Sequence, residues 1–296
     1  MKAVVLYGPH NVAVGELPEP PLGAGDVRIR VAYCGICGSD LHKFEGKANT
    51  HPIRYPVALG HEISGVVAAV GENVTNFRPG DRVTADPNWS CGKCRYCRAG
   101  KPSFCERARG VVKGMAEYVS VPEENVYALP DNLSLRDAAL AEPLACCLHG
   151  IDLLDVRQGE RVVLVGLGAI GLIMMQLLRR TGAASITVVE YAAEKRELAL
   201  SLGATEFVCS KDEEALERYL KTPSGDKVIE CVGRGAAQQI ALSAADKGAT
   251  VVLFGVSDAA EKLPVSFYDA FAKELTIKTS FVNPHTTARA VALLAS

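Results

Sequence analysis

Four cysteines stand at Cys91, Cys94, Cys97 and Cys105, spaced C-x2-C-x2-C-x7-C. Four thiolates this close along a chain can close a tetrahedral zinc site with no open position, so the chemistry they predict is structural. A bacterial ferredoxin-type iron–sulfur run would place three residues before its last cysteine and a proline after it. Here seven residues precede Cys105 and Glu106 follows it, which favours zinc. A zinc-ribbon module for nucleic acid is the other reading of such a lobe. The basic residues inside it, Lys93, Arg95, Arg98 and Lys101, read as a solvated rim.

Two further segments mix donor types: Cys34-Gly-Ile-Cys37-Gly-Ser-Asp-Leu-His42 and Gly60-His61-Glu62-Ile-Ser-Gly65. A thiolate, an imidazole and a carboxylate together suit zinc. Taken singly, each could equally be a buried cysteine or a satisfied core histidine. His10, His51, His149 and His285 have no assignable partner.

A third constellation points to a nucleotide. Arg161–Gly171 reads RVVLVGLGAIG, an apolar run entering Gly166-x-Gly168-x-x-Gly171 and then a helical pattern, LIMMQLLRRTGA. Gly166 permits the tight turn, Gly168 lets a pyrophosphate approach the backbone, and Gly171 lets helix pack on strand. The free N–H groups of the helix start would face the phosphates. Glu190 ends the next apolar run, ITVVE, where an acid accepts hydrogen bonds from the adenosine ribose. It would also repel a 2′-phosphate. Two unit charges about 4 Å apart cost roughly 4 kcal/mol at an effective dielectric near 20. The prediction is therefore NAD over NADP, tempered by Lys195 and Arg196, whose charges could soften the repulsion.

The elements that must hold these residues differ between the two halves of the chain. Residues 27–33, VRIRVAY, alternate as a half-buried strand, and strand-like runs follow at Gly65–Gly71 and Asp81–Ala85. The texture changes near Glu142. From there helical patterns alternate with short apolar runs at Arg161–Val165, Ile186–Val189, Lys227–Cys231 and Thr250–Phe254. Such alternation implies a parallel sheet covered on both faces. The chain of 296 residues thus divides into a β-rich domain and an α/β domain.

Composition narrows the partners. Lysine and arginine number 32 against 34 acids, for a net charge of −2. No basic excess exists to neutralise phosphates, which argues against a nucleic-acid or anionic-membrane partner. The start, MKAVVLYGPHNVAVGEL, has no long apolar stretch, and no run of about 18 uncharged apolar residues occurs. Neither a signal peptide nor a membrane span is expected. Ten cysteines without an export signal read as a reduced, cytoplasmic set.

The ordered motifs GICGSDLH, GHEISG, the four-cysteine lobe, Glu142-Pro143-Leu144 and GLGAIG together resemble the zinc-dependent medium-chain dehydrogenase/reductase family, and within it the polyol or sorbitol-type branch. The resemblance runs from Met1 to Ser296. It implies a GroES-like catalytic domain at 1–145 carrying a structural zinc lobe at 91–105. A Rossmann doubly wound coenzyme domain follows at 146–282. Residues 283–296 then begin a return to the catalytic domain that looks cut short, because family members usually continue. Cys37 and His61 resemble the catalytic zinc ligands, and Glu62 the adjacent acid that ligates the metal or approaches it. Glu142 stands where polyol dehydrogenases carry a glutamate in place of a second cysteine. Ser39 and His42 match a proton relay. Ile170, Glu190 and Lys195 match contacts to the cofactor's ribose or middle, and Val256 and Phe281 fall near the nicotinamide. The resemblance implies hydride transfer between NAD and a polyol or secondary alcohol, on an open zinc position that acidifies the substrate hydroxyl. Animal sorbitol dehydrogenases have an Arg-Tyr pair just after the Phe281 position; Val282-Asn283 stand here instead, which counts against sorbitol itself. A threonine dehydrogenase-like enzyme and a truncated, non-catalytic NAD- and zinc-binding protein are the alternatives. A homodimer or homotetramer is also implied, joined through the apolar run Leu275–Phe281.

Overall fold

A computed structural model describes residues 1–47, 53–222 and 225–296; His51 lies outside them. The chain forms two units. One comprises Met1–Cys146 together with Val282–Ser296, and the other Cys147–Phe281.

The first unit is built on a five-stranded antiparallel sheet in the order Val126–Ala128, Arg82–Ala85, Glu62–Val70, Asp26–Gly35, Tyr118–Pro122. The alternation expected at 27–33 is realised inside Asp26–Gly35, where Val27 and Ile29 are fully buried. They pack with Ile63, Val67, Val83, Val119 and Val121. Burying a Val or Ile side chain completely contributes about 1.5–3 kcal/mol, so this shared face holds the sheet. The register between Asp26–Gly35 and Glu62–Val70 shifts between Val31 and Tyr33. Such a bulge bends a strand and re-aims its side chains. Beyond it Cys34 pairs with Ile63 and Gly35 with Glu62. The strand then ends, Cys37 caps the short helix Gly38–Phe44, and the two donor-bearing segments lie side by side.

A second sheet of three strands, Asn11–Glu16, Lys2–Gly8 and Val57–Ala58, flanks this core. The last segment of the chain also belongs here. Asn283, Thr286 and Thr287 are buried, and the helix Thr287–Leu294 follows them. Thr287 donates to the Asp86 carboxylate at 3.2 Å, Asn88 donates to the Asn283 side-chain oxygen at 2.6 Å, and Thr286 donates to the Ala145 carbonyl at 2.8 Å.

The second unit is a six-stranded parallel sheet. Its order is Glu206–Cys209, Ser185–Glu190, Arg161–Val165, Gly225–Glu230, Ala245–Leu253, Thr276–Thr279. Counting strands within the unit, this is 3-2-1-4-5-6, the doubly wound Rossmann arrangement. Arg161–Val165 is buried along nearly its whole length, as a strand covered on both faces must be. The helix Ala169–Leu178 packs Met174, Met175 and Leu178 into the core. The strand order reverses between Arg161–Val165 and Gly225–Glu230, and ligands of such sheets bind outside the carboxyl ends of the strands at that point. Among the described residues, no helix is long and apolar enough to cross a membrane.

Candidate metal and nucleotide sites

In the first unit the Cys37 sulfur, a His61 ring nitrogen and a Glu62 carboxylate oxygen all lie within 4.8 Å of one another. Each is delivered by a different local feature. Cys37 sits at the start of the helix Gly38–Phe44, His61 just precedes the strand Glu62–Val70, and Glu62 opens that strand. The opposing Gly35 leaves room for that carboxylate: a Cβ there would lie 2.0 Å from the Glu62 Oε2, so a side chain would push Glu62 aside.

Asp40 organises this cluster. It is 3% exposed, its Oδ1 accepts from the Gly60 amide at 3.1 Å, and its Oδ2 accepts from the Cys37 amide at 3.2 Å. Its Oδ1 also stands 4.0 Å from the His61 Nδ1. A carboxylate behind a ligating imidazole fixes ring orientation and tautomer. The sequence singled out Ser39 and His42 around it but not Asp40. The signal available was the backbone: an acid at the third helical position, able to bond back to the capping amide.

Glu142 lies in the first turn of the helix Ala141–Leu154 and is buried. It stands outside the 4.8 Å cluster, yet its charge is felt by Cys37, and that of Glu62 by Glu142. Cys146, one turn on, donates to its Oε1 at 3.5 Å. Burial, then repulsion from Glu62, pushes the Glu142 carboxyl up to about 8. Burial also raises the Cys37 thiol, raises Glu62 with help from Asp40, and keeps His61 neutral by lowering it. Buried acids that resist ionisation beside one another, with a neutral imidazole, are a donor set that a divalent cation would satisfy. The residues fit zinc. Ser39 and His42 sit three apart on the helix Gly38–Phe44 and are therefore neighbours on its surface.

The four lobe cysteines form the second cluster, their sulfurs all within 4.8 Å of one another. Zinc–sulfur bonds of about 2.3 Å in a tetrahedron put sulfurs roughly 3.8 Å apart, so the lobe fits a closed site. Its backbone is already turned to thiolates. The Cys105 sulfur accepts from the Cys91 and Arg107 amides, both at 3.3 Å, and the Cys91 sulfur from the Lys93 amide at 3.5 Å. Amide hydrogen bonds from Cys97 and Glu106 lower the Cys94 thiol to about 6.

In the second unit the glycine loop follows Arg161–Val165. Gly166 has φ +93°, and a Cβ there would lie 2.4 Å from a Val232 methyl. A Cβ on Gly171 would lie 2.1 Å from the Gly166 carbonyl oxygen. Gly168 has neither constraint: nothing lies within 4 Å of where its Cβ would be. Two glycines serve the fold, and the third leaves open space at the start of the helix Ala169–Leu178, where an anion would bind. The space fits a dinucleotide. Glu190 accepts from the Leu167 amide through Oε2 and from the Ala192 amide at 3.0 Å through Oε1. The Lys195 ammonium lies 3.5 Å from the same Oε1 and donates to the Leu167 carbonyl at 3.1 Å. Ile170 is half-buried in the first turn of the helix, while Val256 and Phe281 are exposed at 74% and 38%.

A β-rich unit with two donor clusters that could each hold a metal, and a Rossmann unit with an acid-tipped second strand, are the marks of a dehydrogenase of the alcohol dehydrogenase type. Known proteins agree. Residues 23–131 match the alcohol dehydrogenase GroES-like domain, and residues 169–296 match the zinc-binding dehydrogenase domain. The chain is 30% identical to a sorbitol dehydrogenase of Bacillus subtilis over 306 aligned positions, covering 100% of this chain and 86% of that protein. It is 31% identical to D-arabinitol dehydrogenase 1 of Uromyces fabae, with 100% and 86% covered. A crystal structure of a zinc-binding dehydrogenase from Sinorhizobium meliloti, bound to NADP, superposes with a TM-score of 0.91 at 38% identity, covering 99% of this chain and 88% of that one. The chain belongs to the zinc-dependent medium-chain dehydrogenase/reductase family, in its polyol dehydrogenase branch.

Proposed function

We propose that this protein is a zinc-dependent oxidoreductase that interconverts a polyol or secondary alcohol with its ketone, using NAD. The observation that carries the reading is the Cys37–His61–Glu62 cluster with buried Glu142 behind it, a donor set that needs a cation. Cys37 and His61 would hold the catalytic metal together with Glu62 or Glu142. The four lobe cysteines would hold a structural one. When bound, zinc supplies Lewis acidity that makes an alcohol proton labile, and the nicotinamide supplies the hydride acceptor. Asp40 keeps the unprotonated His61 nitrogen turned to the metal side. Ser39 accepts the substrate proton and His42, its neighbour on the helix, passes it to solvent. In the second unit the loop Gly166–Gly171 takes the pyrophosphate, Glu190 the ribose hydroxyls, and Ile170, Lys195, Val256 and Phe281 the remaining contacts.

The preference for NAD rests on Glu190, and the Lys195 ammonium beside it weakens the exclusion of a 2′-phosphate. The relative from Sinorhizobium meliloti is bound to NADP, so comparing the two cofactors tests Glu190 directly. A homo-oligomer is supported by the strand Thr276–Thr279, which ends the sheet with one edge unpaired among the described residues. The helix Phe267–Ala272 just before it exposes Phe267 at 83% and Phe271 at 74%. Thiols that must stay reduced to bind metal favour a cytoplasmic setting.

The test is a panel of polyols, diols, simple alcohols and threonine with NAD or NADP, followed at the NADH absorbance. Turnover fastest on a polyol or vicinal diol with NAD is expected. Faster turnover with NADP would overturn the Glu190 argument, preference for threonine would overturn the substrate class, and no turnover with two zinc ions bound would overturn the enzyme reading.

A further inference from the structure

Glu230 is the last residue of the strand Gly225–Glu230, and it is fully buried. A carboxylate with no exposure is unusual without a cation, and among the described residues Glu230 has no ion pair. Its Oε1 instead accepts from the Val232 and Gly233 amides, both at 2.6 Å. Its Oε2 is buried and makes no hydrogen bond. Its backbone carbonyl accepts from the Phe254 and Gly255 amides at 2.9 and 3.0 Å. One residue therefore meets the two turns that follow neighbouring strands: its carboxyl holds 231–233, after Gly225–Glu230, and its backbone carbonyl holds 254–255, after Ala245–Leu253, so the side chain sets how the first turn lies against the second.

The two turns touch as closely as backbones can. Gly233 has φ +75°, and a Cβ on it would lie 2.5 Å from the Val256 carbonyl oxygen. A Cβ on Gly255 would lie 2.0 Å from the Gly233 nitrogen. The first turn also bears on the glycine loop, since Val232 packs against Gly166. The outcome is two exposed apolar side chains, Val232 at 46% and Val256 at 74%, on a rigid ledge at the carboxyl ends of the strands, beside the switch point. An exposed apolar ledge at that position suits the flat face of an aromatic ring, while the phosphate-binding glycines lie on the strand next to it.

We propose that Glu230 is a positioning residue for the nicotinamide end of the cofactor: by gathering the 231–233 and 254–256 turns it sets the ledge formed by Val232 and Val256, and leaves the adenosine end untouched. The proposal rests on the dinucleotide reading of this unit. Reach matters more than charge in this role. The two bonds to Oε1 need an acceptor at the end of a side chain of this length. Burial raises the Glu230 carboxyl, against the amide hydrogen bonds that lower it.

The experiment compares binding of NADH, by fluorescence titration, with binding of ADP-ribose, which lacks the nicotinamide, by calorimetry. The proteins are the full chain and its Glu230→Gln, Glu230→Asp and Gly233→Ala variants. Glu230→Gln keeps the reach and is expected to bind both ligands within about threefold of the parent. Glu230→Asp keeps the carboxyl but falls one methylene short, and is expected to lose about tenfold in NADH affinity with ADP-ribose affinity held within about threefold. Gly233→Ala strains the same contact without altering the carboxylate, and should give the same selective loss. Unchanged NADH affinity in Glu230→Asp and Gly233→Ala, or equal loss of both ligands in either, would overturn the assignment. A parent chain that binds neither NADH nor ADP-ribose would instead remove the dinucleotide reading itself.

Discussion

The Asp40 carboxylate accepts from two backbone amides and stands 4.0 Å from the His61 Nδ1, so it holds the entry to the helix Gly38–Phe44 and places its charge beside the imidazole. Asn could keep one acceptor but would bring two donors and no charge to a spot that needs an acceptor on both sides. Asp40→Asn is therefore expected to weaken zinc binding at this cluster about 10–100-fold, measured by competition with a chelator, while the lobe zinc stays bound. Ser39→Ala should lower kcat by about 10²-fold or more and flatten its pH profile, with zinc content unchanged. Full activity across the pH range would show that Ser39 carries no proton. These residues differ in how legible they were. Cys37, His61 and the four lobe cysteines announce themselves by type and spacing. Asp40 offered only its place at the third helical position, and Glu230 is one acid among 34 with nothing in its flanking letters to tell a buried acceptor of amides from a solvated surface charge.

At the scale of elements, the parallel sheet was readable because its strands are buried on both faces. Arg161–Val165 appears at the bounds expected, and Glu190 falls at the end of Ser185–Glu190 as the apolar run predicted. The first unit was less readable. Its strands are half-buried and interrupted, and the bulge between Val31 and Tyr33, which turns the chain toward Glu62, leaves no trace in an alternation that simply stops. The strand expected from Gly65 begins at Glu62, because pairing with Cys34 and Gly35 extends it past the glycine. The lobe 91–105 has little hydrophobic core: only Cys105 of its four cysteines is buried. Such an element depends on its metal for shape. Cys94→Ser is expected to drop zinc from two ions per chain to one and to open the lobe to limited proteolysis between Cys91 and Arg107, with the Cys37–His61 site still loaded. Unchanged protease resistance would mean the lobe folds without its metal.

For the whole molecule, the free edge of Thr276–Thr279 carries the expectation of assembly. An unpaired strand edge recruits another strand unless something blocks it. Ile277→Arg should convert an oligomer to monomers in light scattering; a parent chain that is already monomeric would remove the proposal. Acid–base linkage also acts globally. Burial holds the Glu230 carboxyl above its usual range, so the folded state keeps a proton that the unfolded chain releases above its ordinary value near 4.5. Stability from this group is therefore full at low pH and falls as pH rises through the folded value. Glu230→Gln removes that contribution. As pH rises above about 4.5 its melting temperature should decline less steeply than the parent's; parallel declines would mean that Glu230 is ionised at little cost.

The second unit runs unbroken from Cys147 to Phe281, whereas the first is assembled from both sides of it. Asn283, Thr286 and Thr287, which close the buried polar knot with Asp86, Asn88 and Ala145, are made after the whole Rossmann sheet. At about 5–20 residues per second, a ribosome needs roughly ten seconds or more to cross the interval. Through that time the metal-binding half waits without its last segment, while the coenzyme half is being made. The half that emerges first is therefore the last to have all of its residues.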